Sequence, residues 1–149
     1  MSARNTHALR LIALWLVGVH FLTVVLHSVA HEVLHVKATA AQLAFIVPFI
    51  VVGPVAAGLL LPKFGRAGAA LLLASMAGSF AFGLYYHFVA DTIDHVAHVA
   101  RMQPEFWSWT FRATAFALLV TEAAGAAAAL PLAANVARNF KAHAARTGL

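Results

Sequence analysis

The chain has 149 residues, of which 62% are hydrophobic and only 10% are charged, against roughly 25% charged in soluble domains. That much apolar surface cannot be hidden inside a water-soluble globule of this length, so the composition excludes a soluble fold and points to an integral membrane protein. The net charge of +5 comes from few cations that flank apolar runs, which reads as topology signals rather than nucleic-acid binding, and the absence of cysteine excludes disulfides, thiolate metal sites and cysteine nucleophiles.

Four apolar segments predict an all-α, four-span up-down bundle in one membrane domain, with helices at approximately 8–36, 41–61, 67–95 and 106–131 and a basic tail over 132–149. The first runs from Ala8 to Val36. Ala8–Ala30 alone exceeds the about 20 residues needed to span hydrocarbon, so the histidine-rich turns after it reach toward the interface. The run is too long for a cleaved signal peptide and lacks a small-residue exit site. Thr39 is the expected N-cap of the second span, which carries Pro48 and Pro54. In a membrane such prolines need neighbours to satisfy the carbonyls they free. The third span carries small residues at four-residue spacing, Ala74/Gly78 and Ser75/Ser79/Gly83, a pattern that lets helices approach closely. The fourth opens with Trp107 and Trp109 at interfacial depth.

Arg4, Arg10, Lys63, Arg66, Arg138, Lys141 and Arg146 lie at the termini or in the second loop, and only Lys37 and Arg101 lie in the other two. The positive-inside rule then places both termini in the cytoplasm of an inner or plasma membrane. Spans one and three leave the membrane on the outer side, and both end in ligand-rich turns.

On the first span, His20, His27, His31 and His35 fall within a stripe of about 80°. On a continuous third helix, His87, Asp91, Asp94, His95 and His98 fall within about 100°. Polar edges in a bilayer face the bundle interior, so the two are expected to face each other. Imidazole suits Zn, Cu and Fe, and carboxylates can complete a shell. The expected site is therefore a transition-metal centre near the outer face, for redox chemistry or metal handling, with His27, His31, His35, His87, Asp91, Asp94, His95 and His98 as candidate ligands and Glu32 as ligand or general base.

Other readings share these residues. Glu32-x-x-His35 resembles half of the ligand pattern of dimetal four-helix bundles, although the second Glu-x-x-His unit of such bundles is absent. His31-Glu32-Val33-Leu34-His35 is a literal H-E-x-x-H, in which both histidines bind zinc and the glutamate is the general base. It is similar to the motif that intramembrane site-2 proteases carry in a membrane helix. The similarity covers five residues, and the later helices hold no Asn-Pro or Leu-Asp-Gly element of the kind those proteases use. Haem b is a third possibility, held by His27 or His31 opposite His87, with Ser79 and Gly83 leaving room for the porphyrin. A fourth is that the histidines only hydrogen-bond or sense pH. An enzyme and a non-catalytic accessory subunit, packed against other membrane subunits or a second copy, both remain open.

His20 and Glu122 lie toward the inner half and are expected to pair, as a proton or ion path or as a register-fixing hydrogen bond. Tyr86 is a candidate donor beside His87. Arg112 is expected to neutralise Asp91 or Asp94 or to snorkel outward, and Gln42 to support the site from the second span. Thr110, Thr114 and Thr121 are expected to bond back to helix carbonyls.

With no cysteine of its own, the chain suits single-cysteine labelling. A membrane-impermeant maleimide should label Gln103→Cys in intact cells and Lys63→Cys only after permeabilisation; the reverse pattern would overturn the orientation.

Overall fold

The computed structural model describes the backbone of residues 2–147, with side chains described from Ser2 to Ala134 except residue 3. Every regular element is helical: α1 (Ala3–Val33), α2 (Ala40–Phe45), a π-helical segment (Ile46–Val52), α3 (Gly53–Leu60), α4 (Gly65–Leu84), a second π-helical segment (Tyr85–Val89), α5 (Val96–Val99) and α6 (Glu105–Thr147). Among the described residues, four stretches are long and apolar enough to cross a membrane: Arg4–Val33, Ala40–Leu60, Gly65–Val89 and Glu105–Ala134. Their outward faces carry large apolar side chains such as Trp15, Leu22, Leu59 and Phe116, each at least 62% exposed, as lipid-facing surface requires.

Pairwise contacts fix the up-down arrangement. His20 meets Ile50 while Gly58 faces Leu14 and Val17, so the second span runs against α1. Ser79 meets Phe49 and Gly68 abuts Leu61, so α4 runs against the second span. Met76 faces Gly125 and His87 faces Phe111, so α6 runs against α4. The first and third spans are thus parallel, and their ligand-rich ends share one end of the bundle. α6 packs along both α4 and α1, whereas α1 touches the second span more sparsely.

On α1, Ala13, Val17, His20, Val24, His27, Ala30 and Leu34 are all buried. Steps of three and four residues keep this row on one face, so the expected histidine stripe holds for His20 and His27. Small residues permit close approach elsewhere. A Cβ on Gly53 would lie 2.8 Å from Ser75 Cβ, and one on Gly125 would lie 3.0 Å from Met76 Cγ.

The second span does accommodate its prolines through its neighbours. Thr39 caps α2 as expected, in a reciprocal pair with Gln42: the Gln42 N–H donates to Thr39 Oγ1, and the Thr39 N–H to Gln42 Oε1. Pro48 lacks an N–H, and the chain widens through Ile46–Val52 until Gly53 N–H bonds the Pro48 carbonyl. Pro54 likewise offers no donor to the Ile50 carbonyl four residues back. His20 Nε2–H donates to that carbonyl at 3.0 Å, and Ser79 Oγ–H to Phe49 O at 3.4 Å.

Three helix ends differ from the sequence expectation. The first helix stops at Val33, not Val36, in a Schellman cap: Val36 N–H bonds His31 O and His35 N–H bonds Glu32 O, with His35 at φ 56°. The third span stops at Val89 rather than near residue 95. Its last turn is π-helical, Ala90 N–H bonds Tyr85 O, and Ala90 itself is extended. The fourth helix does not stop at Pro131 but continues to Thr147; proline removes one helix hydrogen bond without forcing the backbone out of the helix. Arg138, Lys141 and Arg146 lie among the residues whose side chains are not described.

Gly53→Ala should destabilise the bundle by about 1–3 kcal/mol, because the new methyl has no room against Ser75. Gly18, with nothing within 4 Å of a built Cβ, supplies the control: Gly18→Ala should leave the thermal midpoint in detergent unchanged or slightly raised. Equal midpoints for the two variants would refute this account of α3–α4 packing.

Candidate metal centre

His27, His31 and His87 converge at the end of the bundle where α1 and the third span finish together. One nitrogen from each lies within 4.8 Å of the others, and the three could hold a metal ion. His27 and His87 are buried and His31 is half-buried. Phe111, fully buried on α6, packs its ring 4.6–5.4 Å from all three imidazoles.

Each imidazole is held through Nδ1. His31 Nδ1 is 2.7 Å from Val36 O, and His87 Nδ1 is 3.0 Å from Asp94 O. A carbonyl only accepts, so both Nδ1 atoms carry the proton. His27 Nδ1 is 2.9 Å from Thr114 Oγ1. The Thr114 hydroxyl also lies 2.7 Å from Thr110 O and 3.0 Å from Phe111 O on its own helix; with its hydrogen there, its oxygen accepts from His27 Nδ1–H. In that His27 tautomer the Nε2 atoms of all three neutral rings are lone pairs. Two of them, on His27 and His31, are only 3.2 Å apart. In that tautomer both nitrogens are acceptors and a shared cation would offset their repulsion; with the His27 proton on Nε2 instead, the contact is a hydrogen bond to His31 Nε2.

The local folds that orient these rings are the helix ends themselves. The Schellman cap of α1 brings the Val36 carbonyl back over His31. The loop after Val89 returns the Asp94 carbonyl to His87, steadied by Thr92 Oγ1–H, which donates to Asp94 Oδ1 at 2.5 Å. Asp94 is 7% exposed, and its carboxylate interacts electrostatically with His31 and His87.

The same helix ends disperse the other candidates. His35 is exposed in a left-handed conformation beyond the cap, so His31 and His35 do not form a helical H-E-x-x-H pair. The helical phase relating His87 to His98 does not apply, because the helix ends at Val89. Asp91 is exposed and pairs with His98, Nε2 to Oδ1 at 3.2 Å, while His98 Nδ1–H donates to Thr92 O. His95 Nδ1 accepts from Ala97 N–H and caps α5. Glu32 is exposed. Arg112 is also exposed, in a shallow groove with Phe88, Val96, Ala97, Ala100 and Phe116, and Tyr86 packs on Phe82.

A cavity of about 370 Å³ adjoins the triad between α1, the second span, α4 and α6. Glu32, Lys37 and Gln42 line it near the helix ends. Val24, Leu43, Ile46, Ile50, Phe82 and Leu118 give it apolar walls, and Glu122 lines its deep side. Pockets of this volume hold small ligands.

Two contributors had no readable signal in the sequence as parts of the site. Thr114 was legible only as a helix-bonding threonine, and Phe111 only as one more apolar residue of a span. No family model matches the chain, and neither a curated protein nor a solved structure matches it.

In metal-free protein near neutral pH, ¹⁵N NMR should find His31 and His87 as Nδ1–H tautomers. His27 should join them and lose that preference in Thr114→Val. An Nε2–H tautomer at His31 or His87 would overturn the hydrogen-bond assignment.

Proposed function

We propose that this is an integral membrane protein that binds one divalent transition-metal ion on His27, His31 and His87, with the triad toward the outer face of an inner or plasma membrane and both termini cytoplasmic. The observation that carries the reading is the convergence of His27, His31 and His87, with one nitrogen from each within 4.8 Å of the others and the His27 and His31 Nε2 atoms 3.2 Å apart. Two nitrogens on one tetrahedral ion, with bonds of 2.0–2.1 Å, lie about 3.3 Å apart. Three imidazole nitrogens converge within 4.8 Å, where haem b would take two axial ligands, so the donor set favours a bare ion over haem b.

Three imidazoles leave a tetrahedral ion one position, as in sites where three protein ligands share the metal with an exchangeable one. The cavity beside the triad gives that position somewhere to open. Hydrogen bonds from each ligand's second nitrogen fix ring orientation and raise ligand basicity, and the Asp94 carboxylate offsets part of the ion's charge. Zinc, copper and iron all suit imidazole. The role is metal handling, or chemistry at a bound metal with Glu32 near the cavity mouth.

Purified protein loaded with Zn²⁺ or Co²⁺ should retain metal at the triad, and His27→Ala or His87→Ala should abolish that tri-imidazole binding. His35→Ala and His98→Ala should leave it intact. Thr114→Val should weaken it about 10–100-fold, and acidification should weaken it because the ligands must be neutral. Full retention of tri-imidazole metal in His87→Ala would refute the proposal.

A further inference from the structure

Glu122 lines the cavity, and behind it, beside His20, lies a second set of uncommitted donor atoms. His20 and Glu122 are 1% and 2% exposed. His20 Nε2–H is committed to Ile50 O, so Nδ1 is a lone pair. It faces Glu122 Oε1 at 3.9 Å. Neither His20 Nδ1 nor Glu122 Oε2 has a hydrogen-bond partner. An unpartnered carboxyl oxygen and an unpartnered imidazole nitrogen, both buried in one bundle, are costly to leave unfilled.

The separation itself is informative. At 3.9 Å it is too long for a hydrogen bond. Donors sharing one ion, with bonds of about 2.0–2.2 Å, lie roughly 3.3–4.2 Å apart as the angle opens from tetrahedral to linear. The carboxylate has a second oxygen to offer, and it borders the cavity together with Ser79. Gly83 lies between this pair and the triad: a Cβ there would lie 3.7 Å from Glu122 Oε2 and 4.0 Å from His87 Cδ2.

We propose that His20 and Glu122 form a second cation station, reached through the cavity and taking the same class of divalent transition-metal ion as the triad. Its donors are His20 Nδ1 and the two Glu122 carboxylate oxygens. Seven residues of α1 separate His20 from His27, so the station lies about 10 Å deeper than the triad. Beyond it the bundle is closed by an apolar cluster that includes Ala13, Val17, Leu61, Leu72 and Met76. The cavity therefore leads an ion from one end of the bundle to its middle and no further in this conformation. Two stations on a one-ended path suit metal handling better than a single fixed catalytic ion.

The atoms of this station lie outside the triad, so the two proposals fail separately. Full-length protein in lipid nanodiscs should bind two Co²⁺ per chain, falling to one in Glu122→Gln and to one in His87→Ala. The ion kept by His87→Ala should show one imidazole and carboxylate oxygens by X-ray absorption. A single ion in the wild type, unchanged by Glu122→Gln, would overturn the second station and leave the triad standing. Loss of one ion in Glu122→Gln with no change in number or ligand set in His87→Ala would support the station and overturn the triad. If Glu122→Gln does not fold, the His87→Ala protein decides alone: no bound cobalt overturns the station.

Discussion

Inside an apolar bundle a polar group has no water to turn to, and every buried N–H, carbonyl and ring nitrogen must find its partner within the protein. This constraint organises the structure. Pro54 frees a carbonyl at Ile50, and His20 supplies the donor. The end of α1 frees carbonyls, and the Schellman cap satisfies those of His31 and Glu32 while turning Val36 O toward the His31 ring. Val89 ends the third helix, and the returning loop gives His87 its acceptor. In each case backbone satisfaction and side-chain orientation are the same event.

The consequence for chemistry is an asymmetry in each buried imidazole. One nitrogen is tied to an acceptor on the scaffold, and the other is left as a lone pair facing inward. Repeated at His27, His31 and His87, this gives three convergent lone pairs in an enclosed site walled by Phe111. Repeated at His20, it gives a fourth lone pair opposite an unpartnered carboxyl. With each ring's proton on its scaffold-bound nitrogen, the convergent nitrogens of the triad all present acceptors to one another. A cation would pair the lone pairs at both places, which is the basis of the two metal-binding proposals.

The four spans were legible in the sequence because their signals are local. Length and hydropathy located them, and residue periodicity placed His20, His27 and His31 on one face. Thr39 was readable as an N-cap because a threonine before an apolar run competes for the first free N–H groups. The meeting of the first and third spans followed from topology, since parallel spans end at the same level. What could not be read was how each helix ends. His35 belongs to the same stripe as His31 by spacing, yet it adopts the left-handed cap position and leaves the face. Asp91 to His98 continue the stripe of His87 only if the helix continues, and a π-turn followed by an extended Ala90 stops it.

The sequence by itself determined four helices long and apolar enough to cross a membrane and that histidines would gather at one end, because both follow from apolar run length and the parity of spans. Tertiary structure decided which histidines gather. Ligand convergence depends on the last turn of two helices, on the carbonyls of Val36 and Asp94, and on a threonine 87 residues away in sequence from the ring it holds. None of those is a local property. Each exists only once a helix end, a loop and a neighbouring span have been brought to the same few ångströms.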